Sequence, residues 1–489
     1  MEVKYAPSPQ VHGVATELNY VEHCELLDSV KWQDHTANGF QYIEGRQYEK
    51  LRHCRADVNF WTDWLAGEAL EDWLSENVRF SKPGFEPEWG TLQGGFRLLI
   101  CDRSLACPPH VMCSQSQMLM ISQSFDLAPE TVPSLGQILG AYGVHYQIAS
   151  NGANSIQIVI QSFQKGELGN WTLSLRHNLE TSWTHALAMW TGWTSVELLA
   201  VDGKWPSRFQ HMCALVQAVP SLWTHPTCLP LVFMQQYSVR TRTRCNLINQ
   251  ELVVLDAELG VNQAGRHIRV TSLADDWPSS LNFKKLTIGL HSVSNQLVFV
   301  QQAAKWARRC LEFLLRLEDD LAGQNLIKGN ASPSIKESLA YQISVITGVE
   351  DSFDALKSRA QGATSVLFNA SSQNDSLLNV KIAASTKEDS IVMKTFTFLT
   401  ALFLPGTFVA ALLSVTLINW FPSNGSPSGQ SQSQNSGISV SNYYWVYWLL
   451  TVPMTLLVML GWYLWYRHAN QKWLKEAGLP NIARSSPSG

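Results

Sequence analysis

Two long uncharged stretches lie near the C-terminal end of the chain. Residues 396–421 read FTFLTALFLPGTFVAALLSVTLINWF, and residues 443–466 read YYWVYWLLTVPMTLLVMLGWYLWY. Because a helix rises about 1.5 Å per residue, each stretch can cross a hydrocarbon core about 30 Å thick. Tyr and Trp at both ends of the second stretch are typical of membrane–water interfaces. The pattern predicts two transmembrane helices, the first bent rather than ended at Pro405 and Gly406.

Basic residues flank the two stretches on one side only. They precede the first stretch and follow the second, whereas the connection 422–442 carries no charge. Since Lys and Arg are enriched on the cytosolic side of membranes, this predicts a multi-pass protein with both termini in the cytosol. The flanking residues are Lys381, Lys387, Lys394, Arg467, Lys472 and Lys475.

Three segments between Pro230 and the first span have apolar residues at every third or fourth position. They predict long helices over residues 231–259, 281–321 and 334–395, of which the third continues into the span. Gly260 is expected to end the first of these helices. Ser334 is expected to cap the third, after a turn over residues 329–333, with Glu337 as its capping-box partner.

The first 228 residues mix short apolar runs with helical patterns, which is typical of an α/β domain. The predicted strands cover residues 96–101, 155–163, 171–176 and 195–201, and the predicted helices cover 62–76 and 132–139. The predicted fold class is thus an α/β N-terminal cytosolic domain, a long-helix stalk and two C-terminal transmembrane helices. The predicted boundaries are 1–228 for the α/β domain, 229–394 for the bundle and stalk, 395–421 and 443–466 for the spans, 422–442 for an outer loop and 467–489 for a basic cytosolic tail.

Charge and cysteine content narrow the function. The net charge of −4 over 489 residues argues against nucleic acid as a partner, because phosphate neutralisation needs a basic face. Nine cysteines, an odd number, suit reduced thiols better than a disulfide framework. The closest group is Cys101, Cys107, His110 and Cys113, whose gaps are wider than those of usual zinc sites, so ordinary thiols are favoured over a metal site. No residue spacing indicates a catalytic constellation, so neither an enzyme nor a bound prosthetic group is predicted.

Acidic residues cluster on the second and third predicted helices. They are candidates for regulatory cation sites between subunits, but a solvated helix face is the favoured interpretation. The two clusters are Glu318, Asp319 and Asp320, and Glu350, Asp351 and Asp354.

Steps of four and three residues along the third helix select a stripe without charged or aromatic side chains. Seven of its eleven members are Asn, Ser or Thr. Such spacing keeps one seam towards a common axis in a left-handed bundle. The stripe suits a pore for a hydrated divalent ion, but hydroxylated and small residues also mark tight helix packing in membranes. This polar stripe consists of Asn379, Ala383, Thr386, Ser390, Met393, Thr397, Thr400, Leu404, Thr407, Ala411 and Ser414.

Four segments lie before and inside the first span: Leu378-Asn-Val-Lys-Ile-Ala383, Thr386-Lys-Glu-Asp-Ser390, Met393-Lys-Thr395 and Phe403-Leu-Pro-Gly-Thr-Phe-Val-Ala410. They resemble the stalk-to-membrane stretch of divergent fungal CorA-like proteins. A stalk helix that enters the membrane, a short loop, a second span and a basic tail are also the plan of the CorA-like magnesium transporter family. The resemblance covers residues 230–470 well and the N-terminal domain weakly.

The resemblance implies a homopentamer with a cytosolic funnel, a pore lined by the first span, and divalent cations, Mg²⁺ in particular, as transported or regulatory ions. One departure is prominent: Ser414, Val415 and Thr416 stand where the family has Gly-Met-Asn, unless Asn419 is a displaced substitute for the family Asn. The outer loop also lacks acidic residues that would concentrate cations. Two functions therefore remain open, a magnesium channel or transporter and a non-conducting oligomeric scaffold or sensor.

Overall fold

The computed structural model describes thirteen segments of the chain, in two compact units, Met1–Ser371 and Ser372–Gly489. They are called the N-terminal unit and the C-terminal unit below. The described segments are 30–32, 40–49, 58–76, 85–86, 90–103, 110–136, 140–148, 154–163, 168–191, 208–260, 281–323, 331–417 and 444–476.

A mixed β-sheet forms the centre of the N-terminal unit. Its longest strand, β5, pairs antiparallel with β2 on one side and parallel with β10 on the other. Beyond β10 the order continues β9, β8, β7, all antiparallel, while β6 and then β1 extend from the end of β5. The strands are β1 Lys31–Trp32, β2 Phe40–Tyr48, β3 Val58–Leu65, β4 Phe85–Glu86, β5 Gly90–Arg103, β6 His110–Val111, β7 Ala141–Ile148, β8 Asn154–Gln161, β9 Trp171–Asn178 and β10 Trp183–Thr191.

Six helices lie within the N-terminal unit, one lies within the C-terminal unit, and one contributes residues to both. These counts refer to the described segments. The helices are α1 Leu70–Leu74, α2 Gln115–Phe125, α3 Pro133–Gly136, α4 Arg208–Gln217, α5 Cys228–Leu259, α6 Phe283–Gly323, α7 Ala331–Leu417 and α8 Tyr444–Glu476.

The sheet separates two hydrophobic cores because successive side chains of a strand point to opposite faces. On β5, Phe96 and Leu98 enter the larger core, whereas Leu99 and Cys101 enter the smaller one. Helices α4, α5, α6 and the first part of α7 cover the larger core, and α1 and α2 cover the smaller one. This layering of helices on a sheet confirms the predicted α/β class.

Helices α5, α6 and the first part of α7 pack side by side through apolar stripes. The buried stripe of α7 alternates between steps of four and three residues, which is the spacing of coiled-coil packing. Polar pairs flank it: Arg308 donates to Glu350 across 2.9 Å, and Arg359 donates to Asp256 across 2.8 Å. The stripe consists of Ile335, Leu339, Gln342, Ile346, Val349, Phe353, Leu356, Ala360, Ala363, Leu367 and Ala370.

The three predicted long helices are confirmed. Gly260 ends α5 as predicted, with a left-handed φ of 76° that glycine adopts without steric cost. The third helix continues through residue 395 to Leu417, as predicted. It also passes through Pro405 and Gly406 without ending.

The predicted cap at Ser334 is wrong. Helix α7 already includes Ala331, so Ser334 lies inside the first turn rather than before it. Pro333 is compatible with this start, because the first turn of a helix leaves its N–H groups without intrahelical acceptors.

The predicted helix 62–76 is half wrong. Its first residues belong to strand β3, and only Leu70–Leu74 form an α-helix, after a 3-10 turn at Gly67–Ala69. Pairing with β2 along eight residue pairs outweighs the local helical pattern. The predicted helix 132–139 is reduced to Pro133–Gly136, with residues 137–139 outside the described segments.

Three of the four predicted strands are present. Those predicted at 96–101, 155–163 and 171–176 correspond to β5, β8 and β9. The strand predicted at 195–201 lies outside the described segments.

Candidate pore-lining site

The two C-terminal helices have the length and composition of membrane spans. Their most apolar windows are only 11% and 6% buried, whereas the core helix of a soluble protein would be mostly buried. Large apolar side chains cover their outer surfaces; Phe403 of α7 and Leu457 of α8, for example, are 60% and 69% exposed. The apolar surfaces have the character expected in contact with lipid. The chain is therefore a membrane protein.

Within the C-terminal unit, α7 and α8 pack against each other through small and aromatic residues. The hydroxyl of Tyr447 donates to the carbonyl of Gly406 across 3.4 Å, and the rings of Phe398 and Trp462 lie 6.1 Å apart. A side chain at position 406 would touch Tyr447 and Thr451 at ordinary contact distances. Small residues allow such close approach of helices in membranes.

The polar stripe lies on the side of α7 that faces away from α8. Phe398 and Gly406 contact α8, and Val409 is buried beside them. Successive residues of a helix are rotated by about 100° around its axis. On this basis Phe398 and Gly406 point about 170° away from the mean direction of stripe members 393–414. All described side chains of the stripe are exposed. The stripe is therefore not the interface between the two helices of one chain.

Threonine hydroxyls of the stripe donate to backbone carbonyls of their own helix. Thr386 donates to the carbonyl of Ile382 across 2.8 Å, and Thr397 to that of Met393 across 2.8 Å. Thr400 and Thr407 each reach carbonyls three and four residues earlier. A hydroxyl has one proton and two lone pairs, so each of these oxygens can still accept a hydrogen bond. The stripe thus offers oxygen acceptors without formal charge.

The residues at the place of the Gly-Met-Asn motif are only partly described. Ser414 is exposed and belongs to the stripe. Val415 and Thr416 are helical, but their side chains, like the outer loop 422–442, lie outside the described part. Asn419 is also outside it. The selectivity role of this segment stays a prediction.

The acidic clusters form contacts inside the N-terminal unit. Glu318 is fully buried, which its position in a polar run did not indicate, and it accepts a hydrogen bond from Thr227 across 2.6 Å. In the described segments, no group of three or more His, Cys, Asp or Glu could hold a metal ion. The other contacts are Asp319 with Lys336, Glu350 with Arg308, and Asp354 with Gln301.

A buried polar cluster beside Glu318 was not predicted from the sequence. The Nδ1 atoms of His177 and His225 lie 2.7 Å and 2.9 Å from the hydroxyls of Thr184 and Thr227. Burial lowers the pKa of His177 to about 3 and that of His225 to about 4. Both imidazoles are therefore neutral at pH 7. The sequence did not predict this cluster, because each His stands alone among apolar residues in the chain.

A second buried cluster surrounds Arg97. Its guanidinium donates to Glu44 across 3.2 Å and to the carbonyl of Trp73 across 2.6 Å, and it lies 3.9 Å from the centroid of the Trp73 ring. Desolvation by burial lowers the pKa of Arg97, although neighbouring carboxylates oppose the shift. The cluster ties β2, β5 and α1 together, which is a structural role.

Comparison with known proteins gives distant structural similarities only. No family model and no curated protein matches the chain. The crystal structure of the ZntB cytoplasmic domain from Vibrio parahaemolyticus RIMD 2210633 is 9% identical, with a TM-score of 0.36 over 68% of this chain and 99% of that one. The structure of the full-length CmaX protein is 12% identical, with a TM-score of 0.33 over 89% and 98%. Similarity at this level carries no argument about function.

The architecture of the protein is therefore described from the order of its own helices and strands. An α/β unit is followed by long helices, one of which continues into the first of two apolar C-terminal helices. This is the order of elements that the CorA-like resemblance implies. The predictions that the chain is not an enzyme and holds no prosthetic group stay predictions.

Proposed function

We propose that the chain is a CorA-like channel or transporter for divalent cations, with Mg²⁺ as the ion, in which copies of α7 line the ion path. The supporting observation is the exposure of the polar stripe on the side of α7 opposite α8. Two helices cannot enclose a pore, so the path requires several copies of the chain. The resemblance implies five, with both termini in the cytosol.

The chemistry of the stripe suits a hydrated cation. Mg²⁺ gives up its water reluctantly, so the pore needs to accept hydrogen bonds from bound water rather than replace it. Hydroxyls such as Thr397, Thr400 and Thr407 have acceptor lone pairs for this purpose. Met393 and Leu404, which are 68% and 67% exposed, are the proposed apolar constrictions that gate by dewetting.

The test is Mg²⁺ entry into liposomes that contain the purified protein, measured with an internal magnesium dye under a negative internal potential. We expect uptake by the natural protein and a loss of at least about tenfold in the double variant Thr400→Leu, Thr407→Leu, because leucine removes the oxygens that accept from the hydration shell. Thr395→Leu is the matched control, since Thr395 is exposed but lies outside the stripe.

One further measurement makes the result decisive. Native mass spectrometry of the same sample should give five subunits. Folded oligomer without uptake above empty liposomes would refute the magnesium channel, and equal losses in the control and in the double variant would refute the stripe as the ion path.

A non-conducting scaffold or sensor is the second candidate, favoured by Ser414, Val415 and Thr416 in place of Gly-Met-Asn and by the uncharged outer loop. The test replaces these three residues with Gly, Met and Asn. Mg²⁺ flux in the variant with Gly-Met-Asn, but not in the natural protein, would support the scaffold or sensor function. The natural protein would then lack only the motif that conduction needs. Equal flux in both proteins would contradict it.

A further inference from the structure

We propose that Cys101 and Cys113 form a redox modification site, in which a small disulfide such as oxidised glutathione converts the two thiols to a cross-strand disulfide. The site lies in the N-terminal unit, where β6 joins the end of β5. Both cysteines are free thiols in the structure.

Strand register brings the two cysteines opposite each other. Arg103 pairs with Val111, and the N–H of Met112 donates to the carbonyl of Asp102 across 3.0 Å. Continuing this antiparallel register by two residues places Cys101 opposite Cys113. The hydrogen-bonded pair at 102 and 112 makes their neighbours non-hydrogen-bonded pairs, for which the Cα atoms are about 4.5 Å apart. This separation falls within the range of about 4.4–6.8 Å seen in disulfides.

Burial agrees with the register. Cys101 and Cys113 are 2% and 1% exposed, and both belong to the smaller hydrophobic core, so they share one face of the sheet. A hydrogen bond between the two side chains, followed by burial, raises the pKa of the Cys101 thiol. The two thiols are therefore neighbours in the core, and they react slowly while the strand pair stays closed.

Local opening gives an oxidant access. Strand β6 contains two residues and pairs with β1, which also contains two. Strand pairs as short as these open at a lower free-energy cost than the central strands of a sheet. One protein thiolate then attacks a sulfur of the glutathione disulfide and releases one glutathione thiolate. The second protein thiolate attacks the mixed disulfide and releases the other glutathione. Two protons pass from the protein thiols to the two glutathione molecules, so the protein loses two hydrogens.

The experiment incubates the full-length protein with oxidised glutathione at pH 8, alkylates the remaining thiols, and maps peptides by mass spectrometry. Cys213 is half-buried and serves as the internal control, because its reaction shows that the oxidant is active. We expect the peptide that links residues 101 and 113 in about tenfold excess over every other cysteine pair. In Cys113→Ser the link should disappear.

Three outcomes would overturn the proposal. The first is reaction of Cys213 while Cys101 and Cys113 stay reduced after prolonged incubation at raised temperature. The second is a dominant link from Cys101 to Cys107, which lies outside the described segments. The third is one bound zinc ion per chain that protects both thiols until a chelator removes it. None of these outcomes depends on ion transport, so the proposal is independent of the proposed function.

Discussion

Acid should destabilise the N-terminal unit through its two buried histidines, His177 and His225. Their pKa values in the folded protein are about 3 and about 4, against 6.5 in the unfolded chain. At a pH between the folded and the unfolded pKa values, the unfolded state binds more protons than the folded state. The free energy of unfolding is therefore highest above pH 6.5 and falls as the pH drops towards 4. At pH 5 the loss is about 2 kcal/mol for each histidine, from 1.36 kcal/mol per pKa unit.

The assay is urea unfolding of the full-length protein in detergent, followed by tryptophan fluorescence at pH 7 and pH 5. We expect a loss of about 4 kcal/mol in the natural protein and about 2 kcal/mol less loss in His225→Gln, which removes one titrating group. His291→Gln is the control, because His291 is exposed on α6. An identical pH dependence in all three proteins would refute the burial argument for His225.

Two further predictions concern the sheet. Replacement of Arg97 by Met should cost about 3 kcal/mol in urea unfolding, because buried Glu44 loses one of its cationic partners, whereas Arg308→Met at a more exposed pair should cost less than about 1 kcal/mol. Similar costs at both positions would contradict the burial argument. Gly45→Ala should destabilise by at least about 1–3 kcal/mol, because its Cβ would overlap the ring of Phe96 and lie 2.9 Å from Trp223, whereas Gly362→Ala, in open space inside α7, should stabilise by about 1 kcal/mol. Equal effects of the two alanine substitutions on the urea midpoint would refute the steric account.

The long helices could be predicted from the sequence because their stability depends on a periodic apolar face that every turn repeats. The end of α5 was equally readable, since Gly260 supplies a left-handed residue where the apolar period stops. The start of α7 was not, because Ser334 and Glu337 fit a capping box that the helix does not use.

Strand β2 escaped prediction for a different reason. It carries the buried charges Glu44 and Arg46, and Glu44 is satisfied in part by a partner that is distant in the chain. Arg97 and Glu44 are separated by 53 positions in the chain but pair in the fold. Local pattern cannot anticipate such a pair, and the same holds for Thr227 and Glu318.

The polar stripe could be read from the sequence, but its orientation could not. Spacing alone left open that the hydroxyls of the stripe pack against the second span of the same chain. The contacts of Phe398 and Gly406 with α8 exclude this, because they occupy the opposite side of α7. Hydroxyls that face lipid gain no partners, so a stripe of this length on a bare helix pair is a poor match for a bilayer.

The remaining choice is between water and another protein surface as the neighbour of the stripe. The hydroxyls already donate their protons within their own helix. In a packing seam between copies they would therefore have no proton left to donate to a neighbouring helix. An aqueous path, in contrast, uses the acceptor lone pairs that remain, and it also gives Met393 and Leu404 a function as apolar constrictions. For this reason we favour a pore over a packing seam, and the comparison of Thr400 and Thr407 with Thr395 tests that preference directly.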